Sequence, residues 1–175
     1  MAAARALGAA MAGAGIGLVY GGGSLGLMVE TARAVLAHGG EVTGIIPEFL
    51  GIKERMLDEV TDLIVVKTMH ERKQLMFERS DGFVALPGGI GTLEELVEIM
   101  TWAQLGRHAK PVILCNIVDY WSPLVALFQH MRDERFIREN MELMLDVVES
   151  AEAVVPAFLA HPSQRIAADA VTAEM

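Results

Sequence analysis

Leu86-Pro87-Gly88-Gly89-Ile90-Gly91-Thr92-Leu93-Glu94-Glu95 follows the short apolar run Gly82-Phe83-Val84-Ala85-Leu86 and precedes apolar positions at Leu93, Leu96, Val97, Met100 and Ala103. The pattern predicts a strand, a glycine turn and an amphipathic helix. Glycines let a backbone come close to a ligand, and the first N–H groups of a helix have no intrahelical partner, so this layout suits an anion such as phosphate. Thr92-Leu93-Glu94-Glu95 also fits a capping box, with Thr92 as N-cap and Glu95 at N3, which would make Glu95 purely structural. Three glycines in the four positions 88–91 exceed what a cap requires, because each loses more conformational entropy on folding than another residue would.

Outward from that stretch, 175 residues are most simply one domain, 1–175, long enough to bury a proper core. A hydrophobic fraction of 53% with mean hydropathy +0.38 suits a parallel sheet covered on both faces, and an oligomer interface besides. The net charge of −9 argues against a general nucleic-acid binder, which needs a basic face to neutralise many phosphates. Cys115, the single cysteine, sits in the apolar run Pro111-Val112-Ile113-Leu114-Cys115 and reads as a buried, inert thiol. The five histidines are scattered, with no cysteine cluster beside them, so no metal and no cofactor are predicted. No signal peptide and no 18-residue apolar span is convincing, so the expected location is the cytoplasm, away from the membrane.

Along the chain, a helix is predicted over Ala2 to Ala14 and a buried strand over Ile16 to Tyr20. Gly21-Gly22-Gly23-Ser24-Leu25-Gly26 opens a helix that runs to about His38 and ends at Gly39-Gly40, and Glu41 to Ile46 reads as the next strand. After a charged connection with a helical turn around 53–58, Asp62 to Val66 is a strand and Met69 to about Ser80 a helix. Past the helix that ends near Gly106, strands are expected over Val112 to Asn116 and Met144 to Val148, with helices over Trp121 to Arg132 and Ala151 to Ala160 and a frayed tail over 161–175. Strands alternating with helices imply an open, largely parallel α/β sheet of the doubly wound, Rossmann-like kind with helices on both faces. Ligands of such sheets sit beyond the carboxyl ends of the strands, the edge where both glycine turns fall.

Gly21-Gly22-Gly23-Ser24-Leu25-Gly26 formally matches G-x-G-x-x-G, which would suggest a dinucleotide, but the expected ribose-binding acid has only Glu48, beyond Pro47, as a poor candidate. Two glycine turns at one edge fit a mononucleotide better. Met69-His70-Glu71-Arg72-Lys73 opens a helix just after a strand and brings cations to that rim; taken alone, such a charge run is a solvated helix face. A phosphate near Glu94 and Glu95 would be repelled without a fixed positive charge, and the planar guanidinium of Arg72 is suited to bridging carboxylate and phosphate, with Lys73 as a second charge.

These motifs, with Gly21-Gly22-Gly23-Ser24-Leu25-Gly26-Leu27-Met28, Thr101-Trp102-Ala103-Gln104-Leu105-Gly106 and Lys110-Pro111, resemble the LONELY GUY (LOG) proteins, cytokinin riboside 5′-monophosphate phosphoribohydrolases. Many such proteins carry the label "lysine decarboxylase", which the residues do not support, since no Ser-x-His-Lys type sequence for a pyridoxal phosphate lysine is present. The resemblance implies hydrolysis of the N-glycosidic bond of an N6-substituted adenosine 5′-monophosphate and a homodimer. Carried over by position, Arg72 and Glu95 match the catalytic pair, and Gly88, Gly89, Ile90, Gly91 and Thr92 the phosphate turn. Glu54, Lys73, Glu94 and Thr101 match further substrate contacts, and Gly22 and Gly23 the ribose phosphate side. Trp102 and Met100 stand near the base by position, but helical spacing favours a core or interface role.

The resemblance also implies a leading strand and a Cys-Gly-Ser loop, whereas this chain starts inside the first helix with Met1-Ala2-Ala3-Ala4-Arg5, so the usual first strand is expected to be absent. Two rivals remain at this point: hydrolysis of AMP or another nucleoside monophosphate, and a non-catalytic nucleotide or cofactor carrier on the same fold.

Overall fold

The computed structural model describes residues 1–51, 59–137 and 145–161. They fall into two compact units, Met1–Ser80 and Asp81–Met175. All described strand pairs are parallel, as the alternation predicts, in two three-stranded sheets of order β1-β2-β3 and β4-β5-β6.

The first unit comprises α1 (Ala2–Gly13), β1 (Leu18–Tyr20), α2 (Gly26–Ala37), β2 (Val42–Pro47), the short α3 (Glu48–Gly51), β3 (Asp62–Val66) and α4 (Met69–Glu78). Strand β2 is central, pairing Tyr20 with Gly44 on one side and Ile46 with Val65 on the other. Its residues Val42, Ile45 and Ile46 are almost wholly buried. Tyr20, Val29, Ala32, Val35 and Val42 form the core between the strands and α2. Helix α1 lies on α2 at close range: a Cβ on Gly8 would stand 2.6 Å from the Thr31 carbonyl oxygen and 2.7 Å from the Ala34 Cβ, so only glycine fits.

Helix α2 closes at glycine as the sequence predicts, and α1 closes in the same way. Gly15 and Gly39 adopt left-handed φ of 70° and 77°. The following N–H groups of Ile16 and Gly40 reach back to the carbonyls of Met11 and Val35, 2.9 Å each, in Schellman closures. This is why β1 starts at Leu18 rather than Ile16: the Ile16 N–H is committed to the end of α1. The predicted turn around 53–58 lies outside the described residues.

The second unit comprises β4 (Phe83–Ala85), α5 (Ile90–Gln104), β5 (Val112–Cys115), α6 (Ser122–Asp133), β6 (Asp146–Val148) and α7 (Val154–Ala160). Strand β5 is central, with Ala85 opposite Leu114 and Cys115 opposite Val148. Ala85, Leu96, Met100, Val112, Leu114, Trp121 and Phe128 make its core. Met100 is therefore a core residue, and Trp102 lies half-buried with the Arg107 guanidinium 4.9 Å above its ring. Cys115 is fully buried, as its apolar run predicts, and burial pushes its thiol pKa up to about 11. Among the described residues, no helix is long and apolar enough to cross a membrane.

Candidate active site

In the first unit the parallel register puts three loops at the carboxyl edge of the sheet: Gly21-Gly22-Gly23 after β1, Glu48 after β2, and Lys67-Thr68 before α4. The three glycines are buried, and Gly22 has φ 72°, where a Cβ would also stand 3.0 Å from the Ile46 Cβ. Helix α4 brings Arg72 to the same edge. Thr68 is its N-cap: the Thr68 hydroxyl accepts from the Glu71 N–H at 3.1 Å, while Glu71 Oε2 accepts from the N–H groups of Lys67 and Thr68 at 2.8 and 3.2 Å. That capping box fixes the first turn, from which Arg72 runs inward. Its side chain is 9% exposed, its Nε donates to the Ile45 carbonyl at 3.3 Å, and its Nη1 lies 3.2 Å from Met69 Sδ. The guanidinium lies directly over Gly21, in the space that a Cβ there would take. Lys73 is half-buried on the next position of α4, and Glu48 is exposed.

In the second unit β4 delivers the glycine turn to the carboxyl edge, and α5 starts three residues earlier than the capping-box pattern requires. Gly89 is the N-cap, with extended φ −88° and ψ −161° and no side-chain cap bond, and its carbonyl accepts the first helical bond from Leu93 N–H at 3.1 Å. Thr92 therefore stands at N3 and Glu95 at the sixth helical position, so the predicted capping box of Thr92 and Glu95 does not form. The physical reason is that glycine is itself an adequate N-cap, and the flexible Gly89-Ile90-Gly91 run takes helical geometry before Thr92 can cap. The N–H groups of Ile90, Gly91 and Thr92 precede the first intrahelical bond, at the positive end of a 15-residue helix. The Thr92 side chain folds back over Gly88, whose Cβ would overlap it. Ile90 is 82% exposed, Glu94 is exposed and Glu95 is half-buried. The exposed Thr101 hydroxyl donates to the Val97 carbonyl at 2.7 Å. Glu54 lies outside the described residues.

Sequence reasoning missed two contributors. The Thr68–Glu71 capping box carried a legible S/T-x-x-E signal. The loop after β5 carried none. There Val118 and Asp119 hold left-handed φ of 53° and 55°, Tyr120 donates its hydroxyl to the Gly88 carbonyl at 2.6 Å, and the buried Asn116 accepts from the Trp121 N–H at 2.6 Å.

Comparison with known proteins fits this geometry. The family model described as "Possible lysine decarboxylase" matches residues 28–158. The chain is 43% identical over 155 residues to the cytokinin riboside 5′-monophosphate phosphoribohydrolase of Rhodococcoides fascians, covering 88% of this chain and 78% of that protein. It is 50% identical over 138 residues to a probable enzyme of the same name from Oryza sativa subsp. japonica, covering 79% of this chain but 62% of the rice protein. The solved structure of the molybdenum cofactor carrier protein from Chlamydomonas reinhardtii is similar with a TM-score of 0.66 at 25% identity, over 91% of this chain and 87% of that one. With the family model spanning most of its length and relatives this similar, the chain belongs to the LOG family.

Proposed function

We propose that this chain hydrolyses the N-glycosidic bond of N6-substituted adenosine 5′-monophosphates, releasing the free base and ribose 5-phosphate. The observation that carries the reading is the start of α5: a glycine turn at the carboxyl end of β4 runs into a helix with no side-chain cap, followed within two turns by Glu94 and Glu95. Backbone N–H groups and the helix dipole there suit a phosphate dianion. The names of the relatives supply the substrate class.

In this reaction the C1′–N9 bond breaks with its electron pair going to the base, oxocarbenium character develops on the ribose, and water adds its oxygen to C1′ while its proton ends on the departing base. A carboxylate facing C1′ stabilises the developing positive charge and takes the proton from water, the role we give Glu95. Arg72 we assign to holding an anionic group of the nucleotide, because its guanidinium is built into the sheet edge rather than swinging in solvent. Gly22, Gly23, Lys73, Glu94 and Thr101 are the further contacts we propose. A homodimer joined through α5 is supported by Val97 and Leu105, which are 42% and 62% exposed on that helix and its cap. The cytoplasm is the location we propose for it.

The carrier reading has one observation in its favour, the likeness to a molybdenum cofactor carrier protein, but at 25% identity against 43% and 50% for the phosphoribohydrolases. Incubation with N6-isopentenyladenosine monophosphate and, separately, AMP, followed by measurement of free base, separates the readings. Release of the isopentenyl base in preference to adenine is expected. Faster release of adenine makes the protein an AMP hydrolase, and binding without release of either base makes it a carrier.

A further inference from the structure

From the loop after β5 we infer that Tyr120 is a positioning residue for phosphate, locking the Gly88–Gly89 peptide in the one orientation that presents an N–H to the ligand; the inference rests on the phosphate-turn reading above. In a trans peptide the carbonyl and the following N–H point in opposite directions. With the Gly88 oxygen held by the Tyr120 hydroxyl at 2.6 Å, the Gly89 N–H is turned the other way. Both residues flanking this peptide are glycine, so a flip that carries Gly89 from φ −88° to positive φ meets no Cβ penalty. The Gly89 side of the turn is open, since a Cβ there would have no atom within 4 Å. A flipped peptide would replace a donor by a carbonyl oxygen, which repels phosphate.

The anchor itself is costly to build. Val118 and Asp119 are held in left-handed backbone, which is strained for a residue with a Cβ and most of all for a β-branched one. Asn116 sustains the turn: its side chain accepts from Trp121 N–H at 2.6 Å and donates to Ser122 Oγ at 3.1 Å, and Ser122 donates to Asp119 Oδ1 at 3.1 Å. Tyr120 stacks edge-on against Trp121, with ring centroids 5.0 Å apart. A strained loop that spends its hydroxyl on another loop's carbonyl is explained by what that carbonyl's orientation does for a ligand.

The test is Tyr120→Phe, which keeps the ring and removes the donor. Ribose 5-phosphate binding is measured by calorimetry, and hydrolysis of the nucleotide by kcat and KM. We expect ribose 5-phosphate to bind about fivefold more weakly, the worth of one net hydrogen bond. KM should rise in parallel with kcat moving less than twofold, and the Gly89 amide resonance should shift in the ligand-free protein. Unchanged affinity, or a fall in thermal stability with KM held, overturns the inference. Wild-type protein that binds ribose 5-phosphate but releases no base refutes the hydrolase reading alone, because the binding ratio still reports the lock. Failure of the wild type to bind ribose 5-phosphate overturns both.

Discussion

The Arg72 guanidinium and Gly21 are in contact so close that a Cβ on the glycine would overlap Nη2 and stand 3.2 Å from Cζ. Gly21 does not have a left-handed backbone, so the glycine is there for the arginine and not for the turn. Gly21→Ala should therefore push the guanidinium off the Ile45 carbonyl, which it meets at 3.3 Å. We expect stability to fall by about 1–3 kcal/mol, as for other overpacked sites, and base release to fall at least about tenfold. Gly17→Ala is the control, since a Cβ there meets nothing nearer than the Glu41 carbonyl oxygen at 3.5 Å. Equal activity of the two variants would remove Arg72 from the reaction.

Glu95 lies inside α5 and not at N3 of a Thr92 cap, because the helix begins at Ile90 with Gly89 as N-cap. Its substitution by glutamine, which keeps the side chain's length and its ability to accept hydrogen bonds, should therefore leave the start of the helix intact. The same change should lower kcat by about 10²-fold or more if the carboxylate takes the proton from water. Single-turnover release of base, with urea unfolding alongside, checks both halves. Retained turnover would return Glu95 to a structural role.

Much of this was legible beforehand, and the misses have physical causes. Asp62–Val66 is a strand at its predicted bounds because its apolar run is closed by Lys67 and the Thr68 cap. The start of α5 was misplaced because a helix entered through glycine leaves no side-chain signature, and Thr92-Leu93-Glu94-Glu95 mimics a cap while lying inside the helix. The Tyr120 to Gly88 bond spans 32 residues and depends on two left-handed residues that are not glycine, which no local pattern announces. Arg72 was found through its charge, but its burial against Gly21 was not, because a close approach reads in sequence only as one more glycine.

Gly91 separates the needs of the fold from those of the ligand. A Cβ there would have no atom within 4 Å, and the residue lies in the first turn of α5 without left-handed φ. Gly91→Ala should thus stabilise the protein by about 0.5–1 kcal/mol through helix propensity. If phosphate lies against this backbone, the same methyl group should weaken ribose 5-phosphate binding severalfold. Gly88→Ala should instead destabilise, since its Cβ would lie 2.8 Å from that of Thr92. Thermal melts with and without ribose 5-phosphate distinguish the two. A stabilised Gly91→Ala variant that binds as tightly as wild type would move the phosphate elsewhere.

Tyr20 sets the protein's behaviour in alkali. It is 4% exposed, its hydroxyl has no hydrogen-bond partner among the described residues, and burial raises its pKa from 10.0 to about 12 against a smaller lowering by Arg33. Burial likewise lifts Cys115 from 9.0 to about 11, with Glu152 adding to it. In both cases the unfolded chain ionises first. The stabilising contribution is therefore complete below pH 9 for Cys115 and below pH 10 for Tyr20, and it is lost as pH rises through about 11 and about 12. Each shift corresponds to up to about 2–3 kcal/mol. Tyr20→Phe removes one of these losses, and at neutral pH it also removes a buried hydroxyl without a partner, a gain of about 1 kcal/mol. Urea unfolding of both proteins from pH 7 to 11.5 should show curves that diverge above pH 10, the wild type falling faster. Parallel curves would mean that Tyr20 ionises as readily in the folded chain as in the unfolded one, and that its hydroxyl meets water or a partner after all.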